Sequence, residues 1–322
     1  MTTVIRFQTV GGPEVLEVVD VDPGAPGPGE VRLRQTAVGL NFIDTYHRSG
    51  LYPVALPSGI GLEGAGVVEA VGEGVLLTPG ARVTYCWGPI GAYASVRVMP
   101  ADRVVPIPAG ISDEVAAAVM LKGCTTEYLV ERCARIETDQ WALVPAAAGG
   151  VGLLLVQWLR HIGVHVIAVA GSAEKVAMAM AHGAEHGLIQ GDDMAKQVRE
   201  ITGGRGVDVV FDGVGKATFM AGLDSLKRRG LMISFGNASG PVGPVDFGIL
   251  AAKGSLFATR ATMFDYYLGP DDYVRFGGRM LALVAAGALK VNIDQRYALK
   301  DAAQAHRDLE ARRTTGSTVL IP

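Results

Sequence analysis

Between Trp141 and Gly171 the pattern of apolar and polar positions changes twice. An unbroken apolar run, Trp141-Ala142-Leu143-Val144-Pro145, leads into a stretch of small residues, Ala146 to Gly152. A helix-length apolar segment follows to His161, then a second strand-like run, His165–Ala170, ending at Gly171. Short continuous apolar runs bounded by glycine predict buried strands, and the longer segment between them predicts the crossover helix. The same alternation extends from Ser112 to about Arg260. Strands are expected at Trp141–Val144, His165–Ala170, Gly187–Ile189, Val207–Asp212, Leu231–Phe235 and Ser255–Thr259. Helices are expected near Gly152–His161, Ala173–His182, Asp193–Ile201 and Ala217–Arg228. Ser112-Asp113-Glu114 ahead of Val115-Ala116-Ala117-Ala118 is a helix start, with a serine cap and acids in the first turn.

The flanking segments have another character. Val31–Val38 alternates apolar with polar, and Gly64–Gly72 is strand-like with small-residue punctuation. Gly11-Gly12-Pro13, Pro23–Gly29 and Thr78-Pro79-Gly80 are dense in turn residues. Many short strands with Gly and Pro turns predict a partly closed barrel. The tail returns to it with helices at Asp271–Ala286 and Ala302–Arg312 and a last strand at Ser317–Ile321. The expected fold is α/β, with a doubly wound domain inserted into a barrel-like one. The expected divisions give residues 1–122 and 262–322 to the barrel-like domain and 123–261 to the inserted domain.

Composition narrows the classes. At 322 residues, 49% hydrophobic and 19% charged, the chain suits a globular enzyme of two domains. A net charge of -3 and no basic run argue against general nucleic-acid or membrane affinity. Three scattered cysteines, Cys86, Cys124 and Cys133, do not make a disulfide framework and fit a reducing compartment. The start, Met1-Thr2-Thr3-Val4-Ile5-Arg6, lacks the apolar core of a signal peptide, and a cytoplasmic location is expected.

Two glycine patterns compete for a dinucleotide. Gly59-Ile60-Gly61-Leu62-Glu63-Gly64 spells GxGxxG, but it follows Leu56-Pro57-Ser58 and precedes a β-branched strand, so the required strand-turn-helix context is missing. Ala148, Gly149, Gly150, Val151 and Gly152 have that context. Small residues there let backbone approach a pyrophosphate at a helix N-terminus. The second strand ends in Gly171 and Ser172 with no acid at its tip, and Lys175 follows one turn into the helix. An NAD site usually carries an acid at that tip for the ribose hydroxyls, whereas a cation among small residues suits a 2′-phosphate. NADP is therefore the expected cofactor.

At Gly11–Leu16, Asn41–Tyr52, Leu121-Lys122-Gly123, Ala146–Gly152 and Ser234–Asn237 the chain resembles the medium-chain dehydrogenase/reductase superfamily. Within it the chain is similar to the zinc-free quinone oxidoreductases related to zeta-crystallin. The resemblance implies a GroES-like barrel carrying a Rossmann domain, and a homodimer. Zinc-dependent relatives carry Cys near the position of Asn41 and His at that of Leu62. Asn41 and Leu62 cannot supply two of the three protein ligands that catalytic zinc needs, so no metal is expected, and Glu63 reads as a structural hydrogen-bonding residue.

The resemblance further implies that Asn41 and Tyr46 lie beside the nicotinamide, with Tyr52 lining the pocket; these three are the candidate catalytic residues. Lys122 and Thr125 are candidate cofactor contacts near the domain junction. Further contacts are implied at Ser234, Phe235, Gly236 and Asn237, at Ala258, Thr259 and Arg260, and at Arg312 and Gly316. Where relatives place Tyr or His against the adenosine phosphate, this chain has Gln190, which keeps a hydrogen bond but no stacking. Without a Lewis acid, the site suits an acceptor that is already electrophilic. A quinone is the first expectation and a conjugated enone or alkenal the second. RNA binding and a structural crystallin role, known in some relatives, rank below these, and the acidic balance counts against RNA. The exposed sixth strand, Ser255–Thr259, is the expected edge for pairing with a second subunit.

Overall fold

The computed structural model describes residues Met1–Pro322. The first part of the chain contains β1 (Thr2–Phe7), β2 (Glu17–Val21), β3 (Glu30–Leu40), α1 (Phe42–Ser49), β4 (Ser58–Gly59), β5 (Glu63–Val71), β6 (Arg82–Tyr85), β7 (Val96–Pro100) and β8 (Val105–Pro106). The long helix α2 (Asp113–Glu127) follows. The middle runs β9 (Trp141–Pro145), α3 (Gly150–His161), β10 (His165–Ala170), α4 (Ala173–Ala181), β11 (His186–Ile189), α5 (Met194–Ile201), β12 (Val207–Asp212), α6 (Phe219–Ser225), β13 (Leu226–Ser234), α7 (Gly248–Ala252) and β14 (Phe257–Arg260). The tail holds α8 (Pro270–Asp272), α9 (Gly278–Ala285), β15 (Ile293–Ala298), α10 (Ala302–Glu310) and β16 (Ser317–Ile321).

The chain forms two compact units. The barrel unit comprises Met1–Cys124, Gly269–Gly287 and Val291–Pro322; the parallel-sheet unit comprises Thr125–Leu268 and Ala288–Lys290. Sequence reading places the second division at 261/262, whereas the unit continues to Leu268. The reason is visible in its side chains: Tyr267 OH donates to Glu127 Oε2 at 2.9 Å, and Tyr266 stacks on Tyr128 with ring centroids 4.7 Å apart. Residues 288–290 join the same unit through Gln157, whose amide exchanges hydrogen bonds with the backbone of Lys290 at 2.8 and 3.1 Å.

In the barrel unit a seven-stranded sheet runs β15-β16-β3-β5-β6-β8, with β7 also on β3, beside a small sheet β2-β1-β4. Alternation along β3 buries Val31, Leu33 and Gln35 and leaves Arg34 exposed, as a strand half covered by a core requires. From Ala37 to Leu40 every residue is buried, so both faces are covered where the strand approaches Asn41. Antiparallel pairing with β16 sets Thr318 opposite Leu40.

The parallel-sheet unit is one six-stranded sheet in the order β11-β10-β9-β12-β13-β14. Its inner strands are buried almost throughout, as expected for parallel strands covered by helices on both faces. The order reverses between β9 and β12, which in this architecture is the point where ligands bind beyond the carboxyl ends of the strands. β13 begins at Leu226, earlier than the expected Leu231. The chain passes from α6 directly into pairing with β12 through a register irregularity between Val207 and Val209. β14 is an edge strand, exposed along its whole length.

Candidate active site

In the parallel-sheet unit the nucleotide candidates sit at the carboxyl ends of the strands and are mostly backbone. Ala146 adopts a left-handed conformation (φ 54°), and Ala147 N donates to Val169 O at 3.0 Å. Gly149 is the extended residue before α3, and no side chain caps that helix. The first amides of α3, at Gly150, Val151 and Gly152, therefore face the end of β9 without an intrahelical acceptor, which is the arrangement that binds a phosphate. Gly152 packs so closely that a Cβ would overlap the Ala146 carbonyl oxygen and lie 2.8 Å from Ala147 Cα. Those are backbone atoms, so the turn cannot yield to a side chain. This steric cradle fits a dinucleotide pyrophosphate.

One strand along, Ser172 caps α4 by accepting from Lys175 N at 3.4 Å. Gln190 N donates to Ala170 O at 2.8 Å, so Gly171, Ser172, Lys175 and Gln190 share one corner at the ends of β10 and β11. On the other side of the switch point Ser234 lies opposite Arg260, and Arg260 Nη1 donates to Ser234 Oγ and to Gly236 O, each at 3.1 Å. This joins the group Ser234, Phe235, Gly236 and Asn237 to the group Ala258, Thr259 and Arg260. Thr125 is not in that group; it opens the unit on α2. One residue that sequence reasoning passed over shapes this end. Asp212, fully buried, accepts at Oδ1 from Val214 N, Gly215 N and Thr218 Oγ at 2.8 to 3.1 Å and so folds the loop after β12. An acid closing a strand before two small residues is the signal that could have found it.

In the barrel unit the candidates are side chains, held by one another. Asn41 is the last extended residue before α1, and Asn41 Nδ2 donates to Glu63 Oε1 at 2.7 Å. Lys122 Nζ donates to the same oxygen at 2.8 Å and to Leu40 O at 3.3 Å. Leu121 N donates to Glu63 Oε2 at 2.7 Å. Glu63 is fully buried and Lys122 is 6% exposed. Gly39 makes room for the carboxylate, since a Cβ there would overlap Glu63 Oε1. Glu63 is therefore the hub that fixes both Asn41 and Lys122, a larger part than the strand-turn residue expected from sequence.

Tyr46 and Tyr52 come together. Their rings meet edge to face at 5.2 Å, and Tyr52 N donates to Tyr46 O at 3.0 Å. His47 lies 6.2 Å from the Tyr52 ring, and burial pushes its pKa down, so it is a neutral neighbour. Arg312 and Gly316 lie on the turn from α10 into β16, both with left-handed φ. Ser317 beside them donates to Ala118 O of α2 at 3.2 Å, so the turn borders the corner that holds Lys122. The GxGxxG at Gly59–Gly64 lies between β4 and β5, with the Gly61 carbonyl accepting from Gly91 N and Ala92 N, and carries no helix start.

The donor set does not suit a catalytic metal. Leu62 is buried and apolar, Asn41 is committed to Glu63, and no group of three or more His, Cys, Asp or Glu is placed to hold an ion.

Comparison with known proteins gives the same class. Residues 27–109 match the family described as alcohol dehydrogenase GroES-like domain, and residues 150–286 match that described as zinc-binding dehydrogenase. A quinone oxidoreductase of Pseudomonas aeruginosa is 49% identical over 99% of both chains. The crystal structure of Escherichia coli quinone oxidoreductase complexed with NADPH matches with a TM-score of 0.96, at 45% identity over 99% of this chain and 100% of that one. A 2-haloacrylate reductase of Burkholderia is 40% identical over 97% of this chain and 96% of its own. The chain belongs to the medium-chain dehydrogenase/reductase superfamily and, within it, to the zinc-free quinone oxidoreductases.

Proposed function

We propose that this protein is an NADPH-dependent quinone reductase that works without a metal. The observation that carries the reading is the joint presence of a backbone cradle at Gly149–Gly152 and a buried Asn41–Glu63–Lys122 cluster where zinc-dependent relatives keep metal ligands. NADPH, when bound, supplies the reducing equivalent; the chain supplies position and electrostatics. The α3 N-terminus would hold the pyrophosphate, and Ser172 with Lys175 would hold the 2′-phosphate. Asn41, fixed by Glu63, orients a polar group of the cofactor or acceptor. Lys122 offers a buried positive charge, which favours the negative charge that reduction places on an acceptor oxygen. Tyr46 and Tyr52 give that acceptor an aromatic wall, and Tyr46 has a hydroxyl able to donate a proton.

A second reading, reduction of an activated carbon–carbon double bond, is favoured by the similarity to 2-haloacrylate reductase. Purified protein assayed with NADPH against several quinones and against a conjugated enal separates the two. Quinone turnover is expected to dominate, and failure to oxidise NADPH with any quinone ends the first reading.

The assembly is read as a homodimer built on the free edge of β14, where Phe257 is 57% exposed and the ladder is open. Action in the cytoplasm is supported by three free cysteines, two of them buried. No helix is long and apolar enough to cross a membrane.

A further inference from the structure

Behind Asn41 a chain of buried polar groups runs from the reduction site to the surface of the barrel unit. Arg48 is 2% exposed and its Nη atoms grip Glu310 at 2.6 and 3.1 Å. Arg48 Nη1 also lies 3.1 Å from His306 Nδ1. His306 Nε2 lies 3.1 Å from Tyr93 OH, and Tyr93 OH donates to Asp44 Oδ2 at 2.9 Å. Asn41 N donates to the same Oδ2 at 2.9 Å.

The direction of every hydrogen in this chain follows from chemistry. A guanidinium only donates, so His306 Nδ1 must accept. Burial, helped by the Arg48 charge, pushes the His306 pKa down to about 3, so the ring is neutral and its one proton is on Nε2. Nε2 therefore donates to Tyr93, and Tyr93 donates onward. All the donors point at Asp44 Oδ2, and none reaches Oδ1, which is buried and has no hydrogen-bond partner. An orphaned carboxylate oxygen is costly to bury when charged and less costly once a proton neutralises it.

We propose that Asp44 is a positioning residue of the reduction site, a buried carboxyl that takes up and releases a proton on Oδ1 behind Asn41. The inference rests on the functional reading above. Charged Asp44 adds a second carboxylate beside Glu63; protonated Asp44 leaves Glu63 and Lys122 balanced and the site more receptive to negative charge on the acceptor. Both forms keep the two hydrogen bonds accepted at Oδ2, so Asn41 stays in place while the field changes. The groups facing Asp44 are Tyr93, Glu63, Lys122, the α1 neighbours His47 and Arg48, and His306 with Glu310 from α10. Burial raises the Asp44 pKa to about 7; the Asn41 and Tyr93 hydrogen bonds lower it, Glu63 raises it and Lys122 lowers it.

The test is a pH profile of kcat/KM for a non-titrating quinone at saturating NADPH, in wild type, Asp44→Asn and Tyr93→Phe. Wild-type activity is expected to fall on the order of tenfold as pH rises through about 7, the scale of one added unit charge acting through an effective dielectric of about 20. Asp44→Asn, which imitates the protonated form, is expected to abolish that limb. Tyr93→Phe removes a hydrogen bond that favours the anion and is expected to move the limb to higher pH. Thermal unfolding of the cofactor-free protein gives an independent readout: the midpoint of Asp44→Asn should gain on wild type between pH about 4 and about 7. A wild-type profile with no limb, a limb unmoved in the variants, or an unfolding difference constant across that range overturns the proposal. If Asp44→Asn is too unstable to assay, Tyr93→Phe decides. Absence of any quinone turnover would instead remove the functional reading, and the unfolding comparison would still decide whether Asp44 titrates.

Discussion

The two units hold their candidate residues in opposite ways. In the parallel-sheet unit the cradle is backbone: amides at one helix start, closed by a glycine that admits no Cβ. In the barrel unit it is side chain on side chain, with Glu63 holding Asn41 from 22 positions away and Lys122 from 59. The difference teaches that the cradle proposed for a ligand shared by many enzymes is built from main chain, which every sequence possesses. The chemistry proposed for this enzyme rests on buried polar side chains, each dependent on the others.

The largest effect should come from breaking the side-chain cluster. Glu63→Ala strips the anionic partner from a buried lysine, and removing one member of a buried pair costs about 3–5 kcal/mol. Denaturant unfolding should show that loss in the barrel unit, and equal stability would show that the cluster is not held as a unit. Next comes the backbone cradle. Gly152→Ala forces a Cβ onto the Ala146 carbonyl, and NADPH affinity measured by fluorescence titration should fall about 100-fold, equivalent to about 2.7 kcal/mol. Unchanged affinity would mean the turn can open, contrary to its packing.

Smaller effects sharpen the contrast. Lys175→Ala should weaken NADPH about tenfold, one charge-assisted contact, while leaving NADH nearly untouched. Equal kcat/KM for the two cofactors in wild type would remove the assignment of Lys175 to the 2′-phosphate. Ser172→Ala deletes the cap of α4 and should cost about 1 kcal/mol in stability.

The Asp44 carboxyl gives the pH dependence a definite sign. Its folded pKa, about 7, lies above the ordinary 3.8. The folded state thus holds a proton that the unfolded chain has released. Stability contributed by that proton is fully present below pH about 4 and is lost as pH rises to about 7, after which the difference is constant. Asp44→Asn should remove this slope.

The legibility of the sequence follows the same contrast. The cradle is a contiguous motif in strand-turn-helix context, so it stands out along the chain, and the cofactor class is readable with it. The six strands of that sheet are likewise readable, because continuous burial writes continuous apolar runs. The ends of α6 and β13 are not: an apolar helix passing straight into an apolar strand leaves no punctuation at Leu226. In the barrel unit Asn41, Tyr46 and Lys122 come forward only through family resemblance. The Tyr93–His306 contact spans 213 positions, and no local pattern records it. Glu63 is legible as a hydrogen-bonding residue but not as a hub, because its partners, Asn41 and the Leu121-Lys122 pair, lie on two distant segments of the chain.

The most direct test of the central claim, reduction of a quinone by NADPH without a metal, is turnover by chelator-treated protein freed of bound ions. Full and zinc-independent NADPH oxidation with a small benzoquinone is the predicted result. Loss of turnover on chelation, restored by added zinc, would contradict it.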